Sequence, residues 1–267
     1  MDRKTGALAL TAVLSLAVLS PHPSAQEADP LGTGTFSILG YDPATGELGA
    51  AVQSRVFSVG NGVLWGEANV GITATQAIVD VSYGPKALAL LRAGMTPEAI
   101  IKAILDSDPD PGYGGQPWPK AGRQFAVMDP KGTYAAYTGP QASTWAGNKG
   151  GKYCTAQGNI LAGEAVVNNM VKNFEETTGP LSIRLVAALE GGQAGGGDTR
   201  GQQSAALLIV KKDCGVWLHN DVVLRLQVDD NPEPIKELRR LVERSVQSSS
   251  RARRAMPGCE GVNGAPK

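Results

Sequence analysis

The chain has 267 residues, with 25 basic side chains against 25 acidic ones and no formal net charge at pH 7. That balance gives no electrostatic case for a nucleic acid partner, and the length suffices to bury one substantial core in a single domain. Glycine supplies 34 residues, well above the usual ~7 %, which implies many tight turns and close backbone contacts.

Arg3 and Lys4 precede a run, residues 7–19, that is almost wholly apolar, and Ser24-Ala25 follows. A basic start, a greasy centre and a small-residue exit are the parts of a secretory signal. Residues 1–25 are therefore expected to direct export to the periplasm or the medium and then to be removed. The run is too short for an ordinary membrane-spanning helix, and no later stretch is apolar for long enough. Residues 26–34 read as a spacer or propeptide, 35–246 as one domain, and 247–267 as a disordered tail.

Residues 35–40 and 48–53 are predicted strands joined by Asp42-Pro43-Ala44-Thr45-Gly46, where proline presets one torsion and glycine accepts a positive one. A third strand is predicted over 70–76. Ser82-Tyr83-Gly84-Pro85 opens a helix with Ala87, Leu88, Leu90 and Leu91 on its apolar side, closed by Gly94. Thr96-Pro97-Glu98 starts a second: threonine caps, proline loses nothing in the first turn, and glutamate favours the positive helix end. Residues 108–119 form a proline- and glycine-rich excursion, either a surface loop or a lid. A hairpin follows over 124–128 and 133–137. Helices are predicted over 159–174 and 181–189, strands over 205–210, 216–218 and 222–228, and a short amphipathic helix over 234–242. None of the glycine runs fits a nucleotide loop, since Gly191 to Gly197 lacks the lysine, the preceding strand and the following helix.

Strands, two helices, a hairpin, two helices and more strands bury every apolar stripe if two antiparallel sheets pack together between helices. The predicted fold is α+β, a four-layer α/β/β/α sandwich. Tight hairpins stand where a parallel sheet would need crossover helices. Cys154, Cys214 and Cys259 are odd in number, so this is no disulfide-built scaffold, although one pair can form in an oxidising compartment. Cleavage after Ala25 would leave His219 as the sole histidine, which disfavours a histidine-based metal centre. No metal and no cofactor is expected.

Several segments recur together: Thr35-Phe36-Ser37-Ile38, Leu48 through Ser54, Thr73 through Ala77, Tyr83-Gly84-Pro85, Gln157-Gly158-Asn159, Gly197 through Ala206, and Leu226-Gln227-Val228-Asp229-Asp230. In this order the chain resembles the domain-of-unknown-function family 1028, from about Thr35 to Leu241. The resemblance implies a fold like that of the N-terminal nucleophile hydrolases. The family's typical chain begins near the threonine that matches Thr35, whereas here a signal and a spacer come first. Where the family segment usually has histidine and aspartate, this chain has Asn231 and Glu233.

A chain cut between Gly34 and Thr35 would carry a free amine beside a hydroxyl, a complete nucleophile-and-base unit. Thr35 is thus the candidate catalytic residue for hydrolysis of a small amide or peptide-like bond. Ser37 faces the same way in an extended strand and is a candidate supporting donor or a packing residue. Gln53 and Ser54 would orient substrate or the Thr35 amine, or cap a turn. Arg55 would bind a carboxylate or form a surface ion pair. Glu67, Asn69, Thr75 and Gln76 would build a polar pocket or satisfy buried hydrogen bonds. Asn159 would cap the helix predicted after it or touch a ligand, and Asp198 with Arg200 would form a structural or an active-site pair. The alternative is a non-catalytic envelope or small-ligand-binding domain on the same scaffold. A helical stripe of Ile235, Leu238 and Leu241 would pack within the chain or support a homodimer.

Overall fold

The computed structural model describes residues 34–252 and 256–266. The expected signal, and the expected spacer up to residue 33, lie outside the described residues. Strand β1 (Thr35–Asp42) and strand β2 (Glu47–Ser54) form a hairpin in unbroken register from Asp42↔Glu47 to Thr35↔Ser54. The turn closes as expected: the Ala44 amide donates to Asp42 Oδ1 at 2.9 Å, and Gly46 takes φ 73°.

Beyond the hairpin come β3 (Leu64–Glu67), β4 (Gly71–Ala77), helices α1 (Tyr83–Arg92) and α2 (Pro97–Ser107), then β5 (Arg123–Met128) and β6 (Tyr134–Thr138). After them run β7 (Gly147–Gly151), β8 (Cys154–Asn159), α3 (Ala165–Glu176), α4 (Leu181–Ala194), β9 (Ser204–Val210), β10 (Val222–Val228) and α5 (Pro234–Ala252). One sheet has the order β10-β9-β2-β1-β8-β7 and the other β3-β4-β5-β6. Every pairing is antiparallel. Strand β1 lies inside the larger sheet, between β2 and β8.

The alternation of side chains along β1 divides the core. Phe36 and Ile38 of β1 pack outward with Val167, Met170, Phe174, Leu185 and Leu189 of α3 and α4. Leu39 packs inward with Ala50 and Val52 of β2, Ile72 and Ala74 of β4, and Ala126 and Met128 of β5. On the far side, Tyr83, Ala87, Leu91, Ile100 and Ile104 of α1 and α2 cover Phe125 and Val127 of β5. The result is helix, sheet, sheet, helix, each layer buried by its neighbour. A fully buried aliphatic or aromatic side chain here contributes about 1.5–3 kcal/mol. Gly40 and Gly49 oppose each other across β1 and β2. They let α3 and α4 approach closely: a Cβ at Gly40 would lie 2.7 Å from the Phe174 ring, and one at Gly49 2.6 Å from Leu185 Cδ1. Thr96 caps α2 by accepting from the Ala99 amide at 3.4 Å, with Pro97 in the first turn.

Five sequence expectations need correction. Strands β3, β7 and β8 were not anticipated. Asn159 therefore ends β8 instead of capping a helix, and α3 begins at Ala165. Residues 216–218 form no strand but an exposed loop, with Trp217 86 % accessible. Helix α5 continues ten residues past Val242, to Ala252. The tail is not wholly disordered: Cys259 forms a disulfide with Cys214, and Cys259, Val262 and Asn263 are buried. Glu47, buried in β2, accepts from the Asn263 amide at 3.1 Å, and Ser182 donates to Asn263 Oδ1 at 2.6 Å. Ile235 and Leu238 are buried in the α3–α4 core, with Leu241 packed against it. Of its two expected roles, the stripe takes that of packing within the chain.

Candidate active site

Toward the start of β1 the space between the sheets turns from apolar to polar. Thr35, Ser37 and Leu39 share one face of β1 by the two-residue period. Ser54 is the register partner of Thr35 in β2, and Asn159 is its partner in β8. Gln76 of β4 and Gln124 of β5 meet them from the opposite sheet.

Thr35 Oγ1 donates to Ser54 Oγ at 3.0 Å. Ser54 Oγ donates in turn to the carbonyl oxygen of Gly34. The same oxygen accepts from Arg200 Nη2 at 2.7 Å. Arg200 is held in a fork by Asp198, Nε to Oδ1 at 3.0 Å and Nη2 to Oδ2 at 2.7 Å. A planar guanidinium gripped in this way has its remaining N–H direction fixed. Gly34 admits the cluster because it has no side chain: a Cβ would lie 2.6 Å from Arg200 Nη2 and 2.8 Å from Asp198 Oδ2.

Behind Thr35 a chain of amides links the sheets. Gln76 Nε2 donates to the Thr35 carbonyl at 3.2 Å and to Gln124 Oε1 at 2.9 Å. Ser37 Oγ donates to Gln76 Oε1, and Gln157 Nε2 donates to Ser37 Oγ, both at 2.6 Å. Gln124 Nε2 reaches the Gly158 carbonyl at 2.9 Å. In a water-poor interior such a network fixes the register of the strands that carry it.

In front of Thr35 and Gln76 lies a cavity of about 170 Å³, walled mainly by Val56, Val59, Val63 and Val79. Phe57 and Val81 also line it, and they are 69 % and 49 % exposed. The loop after β2 is held by Ser58, whose amide and hydroxyl meet the Asp229 carbonyl and carboxylate at 3.0 and 2.6 Å. The proline-rich excursion braces the other wall, because Trp118 Nε1 donates to the Val79 carbonyl at 2.7 Å. Three non-glycine residues around this centre adopt positive φ: Ser58 at 55°, Ala77 at 66° and Ile160 at 54°. For a β-branched residue such as Ile160 this is a true outlier. It is held by the Thr199 amide, which donates to its carbonyl at 3.0 Å. Backbone strain of this kind concentrates at functional sites.

The structure brings Thr35, Ser37, Ser54, Gln76, Asn159, Asp198 and Arg200 together and disperses the other candidates. Gln53 faces the helical side and donates to the Gly201 carbonyl at 3.4 Å. Arg55 is exposed and binds the Gln202 carbonyl at 3.0 Å. Glu67 pairs with Arg92 at the far end of β3. Asn69 occupies the β3–β4 turn at φ 61°. Thr75 alternates with Gln76 and so faces the helices, donating to the Asp80 carbonyl at 3.3 Å. The sequence reading missed Gln124, Gln157 and the valine wall. The signal for Gln124 is a polar residue at an inward position of a predicted strand; Gln157 gives no such signal, because its strand is not legible in the sequence. Cys154 carries no nucleophilic chemistry: it is fully buried, and burial, with Glu175 nearby, pushes its thiol up to about 12.

A second buried ionic cluster joins Tyr83, Asp108 and Arg123 at the α1–α2 layer. Arg123 Nε donates to Asp108 Oδ2 at 3.1 Å and Tyr83 Oη donates to the same oxygen. Arg123 Nη1 also ties the Ile78 and Trp118 carbonyls at 2.8 and 3.0 Å. It fastens the excursion to the sheet.

A family model described as a family of unknown function, DUF1028, matches residues 35–238. The crystal structure of protein SPO2555 from Silicibacter pomeroyi, assigned to the same family, superposes with a TM-score of 0.71 at 29 % identity, covering 86 % of this chain and 99 % of that one. A structure of Anbu (ancestral beta-subunit) from Yersinia bercovieri covers 84 % of this chain and 99 % of its own, at 11 % identity and a TM-score of 0.33. That likeness is too low to carry an inference. No curated protein matches the chain.

Proposed function

The chain belongs to the DUF1028 family of unknown function, and from the geometry around Thr35 we propose that it is an exported hydrolase of the N-terminal nucleophile type. It acts on a small amide or peptide-like bond through Thr35, freed by cleavage after Gly34. The observation that carries this reading is the double grip of Arg200 and Ser54 on the Gly34 carbonyl, with the Thr35 hydroxyl hydrogen-bonded to one of the two donors.

The same arrangement serves two reactions. In maturation, Thr35 Oγ1 adds to the Gly34 carbonyl carbon. Its proton passes to Ser54 as Ser54 gives its own to the carbonyl oxygen, while Arg200 stabilises the charge that develops there. As the carbonyl re-forms, the proton on its oxygen passes to the departing nitrogen, the carbon–nitrogen bond breaks, and an ester joins Gly34 to the threonine oxygen. Water hydrolyses that ester, leaving a Gly34 carboxylate and a free Thr35 amine. In turnover, the amine accepts the hydroxyl proton as Oγ1 attacks the substrate amide. The substrate oxygen takes the place the Gly34 oxygen held. The amine of the leaving group departs protonated, and water releases the acyl product. No step uses a metal or a cofactor.

Export is supported by the Cys214–Cys259 disulfide, a bond that persists in oxidising compartments. The second reading, a small-ligand-binding domain, draws on the cavity in front of Thr35. N-terminal sequencing of the protein from its native host, together with a Thr35→Ala variant, separates the two. Hydrolysis requires chains that begin at Thr35 in the wild type and none in the variant. An uncleaved chain that binds amides favours the binding domain.

A further inference from the structure

The cavity in front of Thr35 has a chemical character that the hydrolase reading leaves open. Its walls are Val56, Val59, Val63 and Val79, and the two other large side chains lining it, Phe57 and Val81, are exposed apolar groups beside the same opening. An exposed apolar pair at the mouth of an apolar cavity is the surface that a monomer ordinarily avoids and a ligand site uses. Its polar lining residues are Thr35, Ser58 and Gln76; Gln76 is already committed to the Thr35 carbonyl and to Gln124, and the Ser58 hydroxyl to Asp229. Among the described residues, no charged side chain lines the cavity. A carboxylate or ammonium placed among the valines would lose its water with no partner to replace it, a cost that ordinarily excludes such groups. About 170 Å³ is close to the size of a cavity that accepts a single aromatic ring, on the order of 150 Å³.

We infer that this cavity is the specificity pocket of the Thr35 site and that it takes an uncharged, compact apolar group, a branched aliphatic chain or one aromatic ring, carried beside the amide to be cleaved. The assignment rests on the hydrolase reading for the words "to be cleaved", and on the cavity alone for the group that fills it. Thr35 itself lines the cavity, so an apolar group seated here brings the adjoining amide to the nucleophile. Polar or charged portions of the substrate remain outside, past Phe57 and Val81.

The test separates pocket from chemistry. Full-length Thr35→Ala protein, in which Gly34 still occupies the amide position, and wild-type protein after processing, both with labelled valine methyls, are titrated with N-acetyl-leucinamide, N-acetyl-phenylalaninamide, N-acetyl-lysinamide and N-acetyl-aspartamide. The leucine and phenylalanine amides should bind at least tenfold more tightly than the charged ones, with shifts centred on Val56, Val59 and Val63. Val81→Asp, a change at a half-exposed position that spares the core, should weaken the apolar probes at least fivefold. Wild-type protein is then assayed for release of ammonia from the same compounds. Equal binding of charged and apolar amides, shifts elsewhere, or no binding of any probe overturns the pocket assignment. Preferred binding of the apolar amides without release of ammonia leaves the pocket standing and counts against the hydrolase reading. Release that is indifferent to the side chain leaves the hydrolase standing and removes the pocket.

Discussion

Ser54 stands between the Thr35 hydroxyl and the carbonyl of the bond to be cut, and Arg200 approaches that carbonyl on a fixed fork. If these donors act on charge that develops in the reaction, each should affect rate far more than stability. Removal of one donor to a developing oxyanion typically costs about 10²–10³ in rate. Ser54→Ala and Arg200→Met are therefore each expected to slow the appearance of chains beginning at Thr35 by that order, followed by intact mass over time. Melting temperatures measured alongside should change by only a few degrees. A variant that processes at the wild-type rate would show that the grip on Gly34 is structural. The Tyr83–Asp108–Arg123 cluster makes the opposite demand. Arg123 and Asp108 form an ion pair with side chains 1 % and 0 % exposed, and removing one partner of a buried pair costs about 3–5 kcal/mol. Asp108→Ala should lower urea stability by that amount and leave the Thr35 site chemically intact. Burial alone would raise the Asp108 carboxyl, but hydrogen bonds from Tyr83, the Asp110 amide and Arg123 outweigh it and hold the group below its ordinary 3.8. The unfolded chain then takes up the proton first as pH falls. The stabilisation from Asp108 is complete above about pH 5 and is lost as pH drops through the lowered folded value. Burial, and next the hydrogen bond to Asp108, raises Tyr83 above 10.0, so its contribution holds below that value and fades as the solution becomes more alkaline. Urea titrations across pH should show the gap between wild type and Asp108→Ala narrowing in acid.

Among the elements, those with strong local chemistry were legible. The β1–β2 hairpin follows from its proline–glycine turn and its alternation, and α2 from the threonine cap and first-turn proline. Strand β8 was not, because Thr155, Gln157 and Asn159 give it a polar face that points into the sandwich and is buried there. In sequence that face is indistinguishable from a loop leading into a helix. Strand β7, Gly-Asn-Lys-Gly-Gly, is a largely exposed edge with no apolar period to read. At the site, Thr35, Ser54 and Gln76 were found because they sit on strands with a clear period. The valine wall escaped notice because it comes from loops whose meeting depends on the whole fold. The end of the chain was misread for a related reason: residues 256–266 have no periodicity, and what orders Cys259 is a covalent tie to the β9–β10 loop. That crosslink spans 45 residues, and removing a native disulfide of this kind costs about 2–4 kcal/mol. Cys214→Ser, or reduction of the wild type, should lower the unfolding free energy by that much. Proteolysis should then begin in the segment beyond α5. An unchanged melting temperature on reduction would show that α5 and its packing hold the segment without the bond.

For the molecule as a whole, the two sheets and their helical covers place one strand end, Gly34–Thr35, where a carbonyl grip, a hydroxyl and an apolar cavity meet. Buried polar groups are expensive unless paired, and the amide network from Ser37 to Gln124 holds both sheets to a single register at that point. A scaffold required only to be stable would fill that space with aliphatic side chains, as it does around Leu39 and Ile72. On the proposed function, this expense serves a processed threonine. Intact mass and N-terminal sequencing of protein recovered from its native host test it most directly. A major species beginning at Thr35 is expected, absent from Thr35→Ala protein that is otherwise folded. An active wild-type chain in which Gly34 remains joined to Thr35 would contradict it.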